Sequence, residues 1–387
     1  MNQRWVPVAL IILACASRSV PMLKPVPLTR ADWQPVIRFL DSALAGGAAP
    51  GAVVAVTRNG ERFLYGSGRL GADEPERPGP ATIYDLASLT KVVGLTTAAM
   101  LAVDGGKLAL DAPVQRYVPS FAGPGKDGVT IRMLLAHASG LPAWRPLFRE
   151  VATRQDAFAL AGSTPLASPP GRADVYSDLG AIVLTQAIEA VYHQRLDSLL
   201  EQMLFRPLGM SSTRYLPPAS WRDRIAPTEL DPMRGRVLRG EVHDENAALM
   251  DGVSGHAGLF GSGEDLLAFA EWMLREWNGG TMPSGLPSLS RSLVHGFTRP
   301  QHIVPGSSRT LGWDSPSVGG SAGTHLSPAS FGHTGFTGTS LWIDPDRNLA
   351  IVLLSNRVNP TRENPRWGPV RAALADLVMA TLFEDVR

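Results

Sequence analysis

Apolar residues at Trp33, Val36, Ile37, Leu40 and Leu44 recur every three or four positions, and Gly46-Gly47 follows them. That period places them on one face of a helix, and the glycines end it. The pattern then changes. The runs GAVVAVTR and ERFLYGSG flank Asn59-Gly60, which predicts a hairpin closed by a tight turn. The stretch SLTKVVGLTTAAMLAVDGG is apolar almost all round, as a buried helix is, and stops at Gly105-Gly106.

From Leu108 to about Met250 helical stretches alternate with Pro-rich loops: TIRMLLAHASGLP, SDLGAIVLTQAIEAVYHQ and LDSLLEQMLFRPLGM. The last third returns to strand character in FGHTGFTGTSLWIDPDRNLAIVLLSNRV, with a turn at Asp344–Asn348, and VRAALADLVMATLF closes as a helix. Strands near both ends with helices between them predict an α+β fold. Its antiparallel sheet is formed from both chain ends and flanked by helices, with a mostly helical lobe inserted. Residues 25–387 are expected to form one unit, the sheet lobe being about 25–107 and 255–387 and the helical lobe about 108–254.

Composition narrows the function. The 387 residues are 44% hydrophobic, enough for a large core, and the formal charge is only +1. No basic stripe or long charged tail is present, which argues against a nucleic-acid partner. There is no internal repeat and no heptad run. The N-terminus reads separately, as an export signal over residues 1–20: Arg4, then an apolar run from Val6 to Ala14, then Cys15. The run is shorter than the roughly 20 residues a spanning helix needs. Cys15 is the only cysteine; a lipidation site, a plain cleaved signal and a buried free thiol all remain open for it. The expected address is the bacterial periplasm or a membrane-anchored lipoprotein, with membrane contact only through that N-terminal signal or anchor.

Among 36 basic residues only four are lysine, at positions 24, 91, 107 and 126. Lys91 alone has a serine three residues before it, Ser88, and it lies in a run predicted to be buried. Residues three apart on a helix share a face, so the two side chains can meet. A serine hydroxyl is a weak nucleophile until a base takes its proton. Arginine cannot be that base, whereas lysine can when burial and nearby positive charge lower its pKa. If Ser88 lies in the first turn, its own N–H is unpaired and can serve as half of an oxyanion hole. The competing reading is a partly exposed lysine whose stem covers apolar surface. Further along, Tyr176 precedes a predicted helix, and the Gly-rich FGHTGFTGTS opens a strand that substrate could approach. No His-Glu-x-x-His and no cysteine cluster is present, so neither a metal nor another cofactor is expected.

Taken together, Ser88-Leu89-Thr90-Lys91, Tyr176-Ser177-Asp178 and His333-Thr334-Gly335 resemble the three motifs of the serine β-lactamase and penicillin-binding-protein family. The likeness is to its class C-like branch, with esterases and D-amino-acid peptidases. LLAHASGLP, GHAGLFGSGEDLLAFA and GHTGFTGTSLWIDP add to it, and the likeness runs from about residue 30 to 385. The resemblance implies a β-lactamase/transpeptidase-like fold and an acyl-enzyme on Ser88. Lys91 and Tyr176 would share base and acid work, and the amides of Ser88 and Phe336 would form the oxyanion hole. Asp178, His333, Thr334, Gly335 and His256 would line the substrate, while His137 would fix a helix end. The partner would be a small ester or peptide, such as a peptidoglycan stem peptide or a β-lactam.

Two positions depart from the family pattern. Asp178 stands where asparagine is usual; its carboxylate would hold Lys91 charged and favour a tyrosine-based relay. His333 stands where a lysine is usual, which predicts weaker anchoring of an anionic substrate. The double swap also suggests that Asp178 and His333 pair. The expected function is therefore a serine hydrolase of an ester or a D-amino-acid amide, ranked above a weak β-lactamase and above a non-catalytic penicillin-binding sensor.

Overall fold

The computed structural model describes residues 24–386. The segment expected to be an export signal, with Cys15, lies outside the described residues. Among those described, no helix is long and apolar enough to cross a membrane.

The expected hairpin forms from the strands Gly51–Arg58 and Glu61–Gly68. Its turn residues Asn59 and Gly60 both have positive φ, at 53° and 83°, as a two-residue turn matched to strand twist requires. The strand Leu349–Ser355 pairs antiparallel with Gly51–Arg58. Ser340–Asp344 and Phe331–Thr334 extend the sheet to five strands. The sheet thus joins the two chain ends, as expected.

Alternation along the central strands divides two cores. Ala52, Val54 and Val56 face one side with Ile351 and Leu353, under the helices Gln34–Ala45 and Gly368–Leu382. Val53 and Ala55 face the other side with Val352 and Leu354, in a larger core shared with the helix Gly263–Asn278. Both faces are covered, which explains why these strands read as continuous apolar runs.

A second, three-stranded sheet sets the site. Ile83–Asp85 pairs antiparallel with Leu259–Ser262, which also pairs with Arg214–Tyr215. The strand Ile83–Asp85 leads directly into the Ser88 turn and the buried helix after it. That helix differs from expectation. It opens as a π-helical segment over Lys91–Thr96 and becomes α-helical only over Thr97–Asp104. Wide turns of this kind are common beside functional sites. Around it pack the helices Ile131–Leu135 and Asp178–Tyr192, within the larger core. The middle segment is mostly helical but also carries short strands, among them the ribbon Leu230–Asp231 with Arg236–Val237.

Candidate active site

Ser88 sits on a strained turn. Ala87, just before it, has φ of 48°, a left-handed conformation rare for a residue with a Cβ. The buried carboxylate of Asp85 holds this turn. Its Oδ1 accepts the Ala87 amide at 2.8 Å and its Oδ2 accepts the His243 amide at 2.8 Å. Burial raises the Asp85 pKa, and those amides oppose the rise. Thr337 and Thr339 donate to the Asp85 and Leu86 carbonyls at 2.7 and 2.9 Å, tying the turn to the loop after Phe331–Thr334. Asp85 was not singled out in the sequence, although it lies three residues before Ser88. Asp85→Ala strands two buried amides, each costing about 1–3 kcal/mol. Urea denaturation is expected to show a loss of about 2–4 kcal/mol; a loss below about 1 kcal/mol would mean that water replaces the carboxylate.

Lys91 is buried, and its ammonium reaches three acceptors: Ser88 Oγ at 3.1 Å, the His256 carbonyl at 3.0 Å and Asp178 Oδ1 at 2.7 Å. The first two are hydrogen bonds and the third is an ion pair. Burial pulls the Lys91 pKa down, but Asp178 and Tyr176 outweigh it and the net shift is upward. Lys91 is therefore a cation at rest, as the carboxylate at position 178 implies.

Tyr176 is placed by His137. The Val175 amide donates to the His137 carbonyl at 3.0 Å, and the Ser177 amide donates to His137 Nδ1 at 3.1 Å. The Tyr176 ring lies 4.7 Å from the imidazole. Ser177 Oγ then accepts the Gly180 amide at 3.1 Å, capping the helix that begins at Asp178. Because Nδ1 of His137 accepts, its proton resides on Nε2. Burial, with the charges of Arg309 and Lys91, keeps the imidazole neutral. Tyr176 Oη is buried beside Ser88 and Lys91 without a well-aligned hydrogen bond. Burial raises its pKa more than Lys91 lowers it.

His333 and Asp178 do not pair. Asp178 is taken by Lys91, and His333 Nδ1 instead contacts the Thr334 carbonyl at 2.7 Å. His333 Nε2 is buried without a partner. Burial lowers the His333 pKa, which the more distant Asp314 does not overcome. The imidazole is thus neutral and 5.7 Å from the Tyr176 ring. Gly335 follows Thr334 where the loop is tightest: a Cβ there would lie 2.1 Å from Thr339 Oγ1 and 2.5 Å from the Leu86 carbonyl. Phe336 is half exposed. His256 lines the cleft on the side of Asp178 and Asp244. Its ring is buried, with Nδ1 at 2.7 Å from Ser254 and Nε2 at 2.9 Å from Asp244. Both nitrogens are engaged, and its carbonyl accepts from Lys91.

Two cavities, of about 510 and 370 Å³, meet at Ser88, Tyr176 and Phe336. The larger arm is lined by Arg309, Arg357 and Arg371. Arg309 is compensated by Asp174 at 3.3 Å and by Asp314. Arg357 and Arg371 form no ion pair among the described residues, and their first hydrogen bonds go to the Phe336 and Gly335 carbonyls. None of these three was legible in the sequence, where arginine is so common that no position stands out. The smaller arm presents Trp144 and Phe336, both half exposed, beside Asp178, Asp244 and Glu245.

The Beta-lactamase family model matches residues 36–376. A relative from Escherichia coli (strain K12), named "Putative D-alanyl-D-alanine carboxypeptidase", is 33% identical over 343 residues, covering 80% of this chain and 77% of its own. An N-acetylmuramyl-L-alanine amidase from Bacillus subtilis (strain 168) is 32% identical over 372 residues, covering 86% and 83%. Among solved structures, a penicillin-binding protein homologue from Caulobacter crescentus superposes with a TM-score of 0.72 at 21% identity, covering 90% of this chain and 96% of its own. With the three motif segments gathered around one cleft, and the family model spanning most of its length, this chain belongs to the β-lactamase family of serine hydrolases.

Proposed function

We propose that the chain hydrolyses an ester or a D-amino-acid amide through an acyl-enzyme on Ser88, with a carboxylate on the departing part of the substrate. The contact that carries this reading is Lys91 Nζ at 3.1 Å from Ser88 Oγ, where the two arms of the cleft meet. Once the Lys91–Tyr176 pair has lost one proton to solvent, Ser88 Oγ attacks the carbonyl carbon while its own proton passes to that pair. The oxygen that becomes negative is received by the Ser88 and Phe336 amides, neither of which donates to another group among the described residues. Tyr176 returns the proton to the leaving nitrogen or oxygen. Water then enters the vacated arm and releases the acyl group by the same steps in reverse.

Neutral His333 offers no charge to an anion. Arg357 and Arg371 supply one instead, which replaces the expectation of weak anion anchoring. The name of the E. coli relative supports a D-alanyl peptide in this arm. The aromatic and acidic arm, with the name of the B. subtilis relative, favours a second reading in which the acyl part carries a sugar. An envelope location rests on the N-terminal sequence alone.

The test compares N-acetyl-D-alanyl-D-alanine with its C-terminal amide. A guanidinium hydrogen-bonded to a carboxylate contributes roughly 1.5–3 kcal/mol, so the free acid is expected to be cleaved at least about tenfold more efficiently. Equal kcat/KM for the two would remove the carboxylate from the reading. Stoichiometric labelling of Ser88 without release would show a sensor instead of an enzyme.

A further inference from the structure

Gly335 C=O and Phe336 N–H are two ends of one trans peptide unit and point in opposite directions. Arg371 Nη2 donates to the Gly335 oxygen at 2.6 Å, sharing it with the Gly338 amide at 3.1 Å. Arg371 lies in the first turn of Gly368–Leu382, a helix anchored in the core on one face of the main sheet. We propose that Arg371 is a positioning residue for oxyanion stabilisation, holding and polarising the Gly335–Phe336 peptide so that its N–H is a strong, fixed donor. This rests on the reading of Phe336 N–H as the second oxyanion donor.

A cation at the oxygen end of a peptide adds to the peptide's own dipole and strengthens the hydrogen bond its N–H can give. Before substrate binds, Arg371 has no ion pair among the described residues, and its Nε is buried without a partner. Burial, with repulsion from Arg357, lowers its pKa to about 10, which leaves it charged at neutral pH. The rest of the loop is already fixed. Arg357 Nε holds the Phe336 carbonyl at 2.8 Å, Thr337 and Thr339 bond the strand before Ser88, and Gly335 has no room for a Cβ. Among these contacts, Arg371 is the one that brings a formal charge to the peptide whose N–H is at issue.

The test uses p-nitrophenyl acetate, which carries no carboxylate, so that a substrate-anchoring role for Arg371 is silent. Arg371→Gln keeps a donor and removes the charge; Arg371→Lys keeps the charge. Rates are taken per active site, titrated from the nitrophenolate burst. A missing oxyanion donor costs ~10²–10³ in rate; a weakened one is expected to cost about 10–100-fold in kcat for Arg371→Gln, with KM within about twofold and Arg371→Lys between it and wild type. Phenylboronic acid, which becomes a tetrahedral anion on Ser88, should lose affinity in parallel. A purely structural role would not move that affinity in the folded fraction. Wild-type kcat and boronate affinity in Arg371→Gln overturn the proposal, as does a folded Arg371→Lys no better than Arg371→Gln. If Arg371→Gln does not fold, Arg371→Lys decides: full loss of boronate affinity refutes the charge effect. Ester turnover surviving in Ser88→Ala would instead bring down the serine hydrolase reading itself.

Discussion

Ser88→Ala is expected to lower p-nitrophenyl ester turnover by about 10⁴-fold or more, since removing a nucleophile that acts with its base removes nearly all the catalysis they share. The cleft places no second nucleophile on Lys91. The other acceptors of its ammonium are a main-chain carbonyl and the Asp178 carboxylate. The substitution is small and removes only the contacts of Oγ with Lys91 Nζ and with Tyr176, so fold and ligand affinity should stay near wild type. Steady-state kinetics on purified protein, with intact mass after penicillin, checks this. The wild type should gain one penicilloyl group on the Ser88 peptide and the variant none. Retained turnover with an unlabelled Ser88 would falsify the assignment.

Lys91→Met is expected to cost about 10²–10⁴ in acylation rate, the usual range for a positioned proton-transfer group. The informative partner is Lys91→Arg. Arginine keeps the charge but cannot deprotonate. If Lys91 must take the serine proton, Lys91→Arg will be as slow as Lys91→Met. If Lys91 acts only as a charge beside a tyrosine base, Lys91→Arg will retain most of the rate. Asp178→Asn gives the pH signature. Burial lowers the Lys91 pKa and Asp178 raises it. Removing the carboxylate takes away part of what opposes burial, Tyr176 supplying the rest, so the Lys91 pKa falls. The rising limb of kcat/KM against pH should therefore move to lower pH, with a gain at neutral pH. An unmoved limb would mean that the ionisation controlling acylation is not in the Lys91–Asp178 pair.

How far the site was legible depends on how each part is built. Ser88 and Lys91 lie within one turn of chain, so spacing alone brings them together. Lysine scarcity marked the pair because a buried amine is costly unless it is used or paired. Tyr176 and His333 were recognisable only as members of a motif set, since 88 and 245 residues separate them from Ser88. The effect of Asp178 on Lys91 followed from charge. Its supposed pairing with His333 failed because Asp178 opens a helix beside Lys91, whereas His333 lies on a strand with Nδ1 turned to its own neighbour's carbonyl. His256 lines the smaller arm of the cleft, and its ring partners could not be read from the sequence. Asp244 and Ser254 claim both ring nitrogens, and the sequence does not show which side of a loop an imidazole will take.

By itself the sequence determined the elements and their layering. Apolar strand runs near both ends implied a sheet flanked by helices, the Asn59-Gly60 turn required a hairpin, and strands at both ends required a sheet that joins them. Those are local rules, set by backbone sterics and by which face of an element is apolar. Only the tertiary structure decided the electrostatics of the cleft. Two acceptors from distant segments converge on Lys91, Asp85 braces a left-handed Ala87, and Arg357 and Arg371 turn a neutral His333 site into a cationic one. Charge acts through space at a few ångströms, and in an arginine-rich chain nothing in the order of residues says which guanidinium will be there.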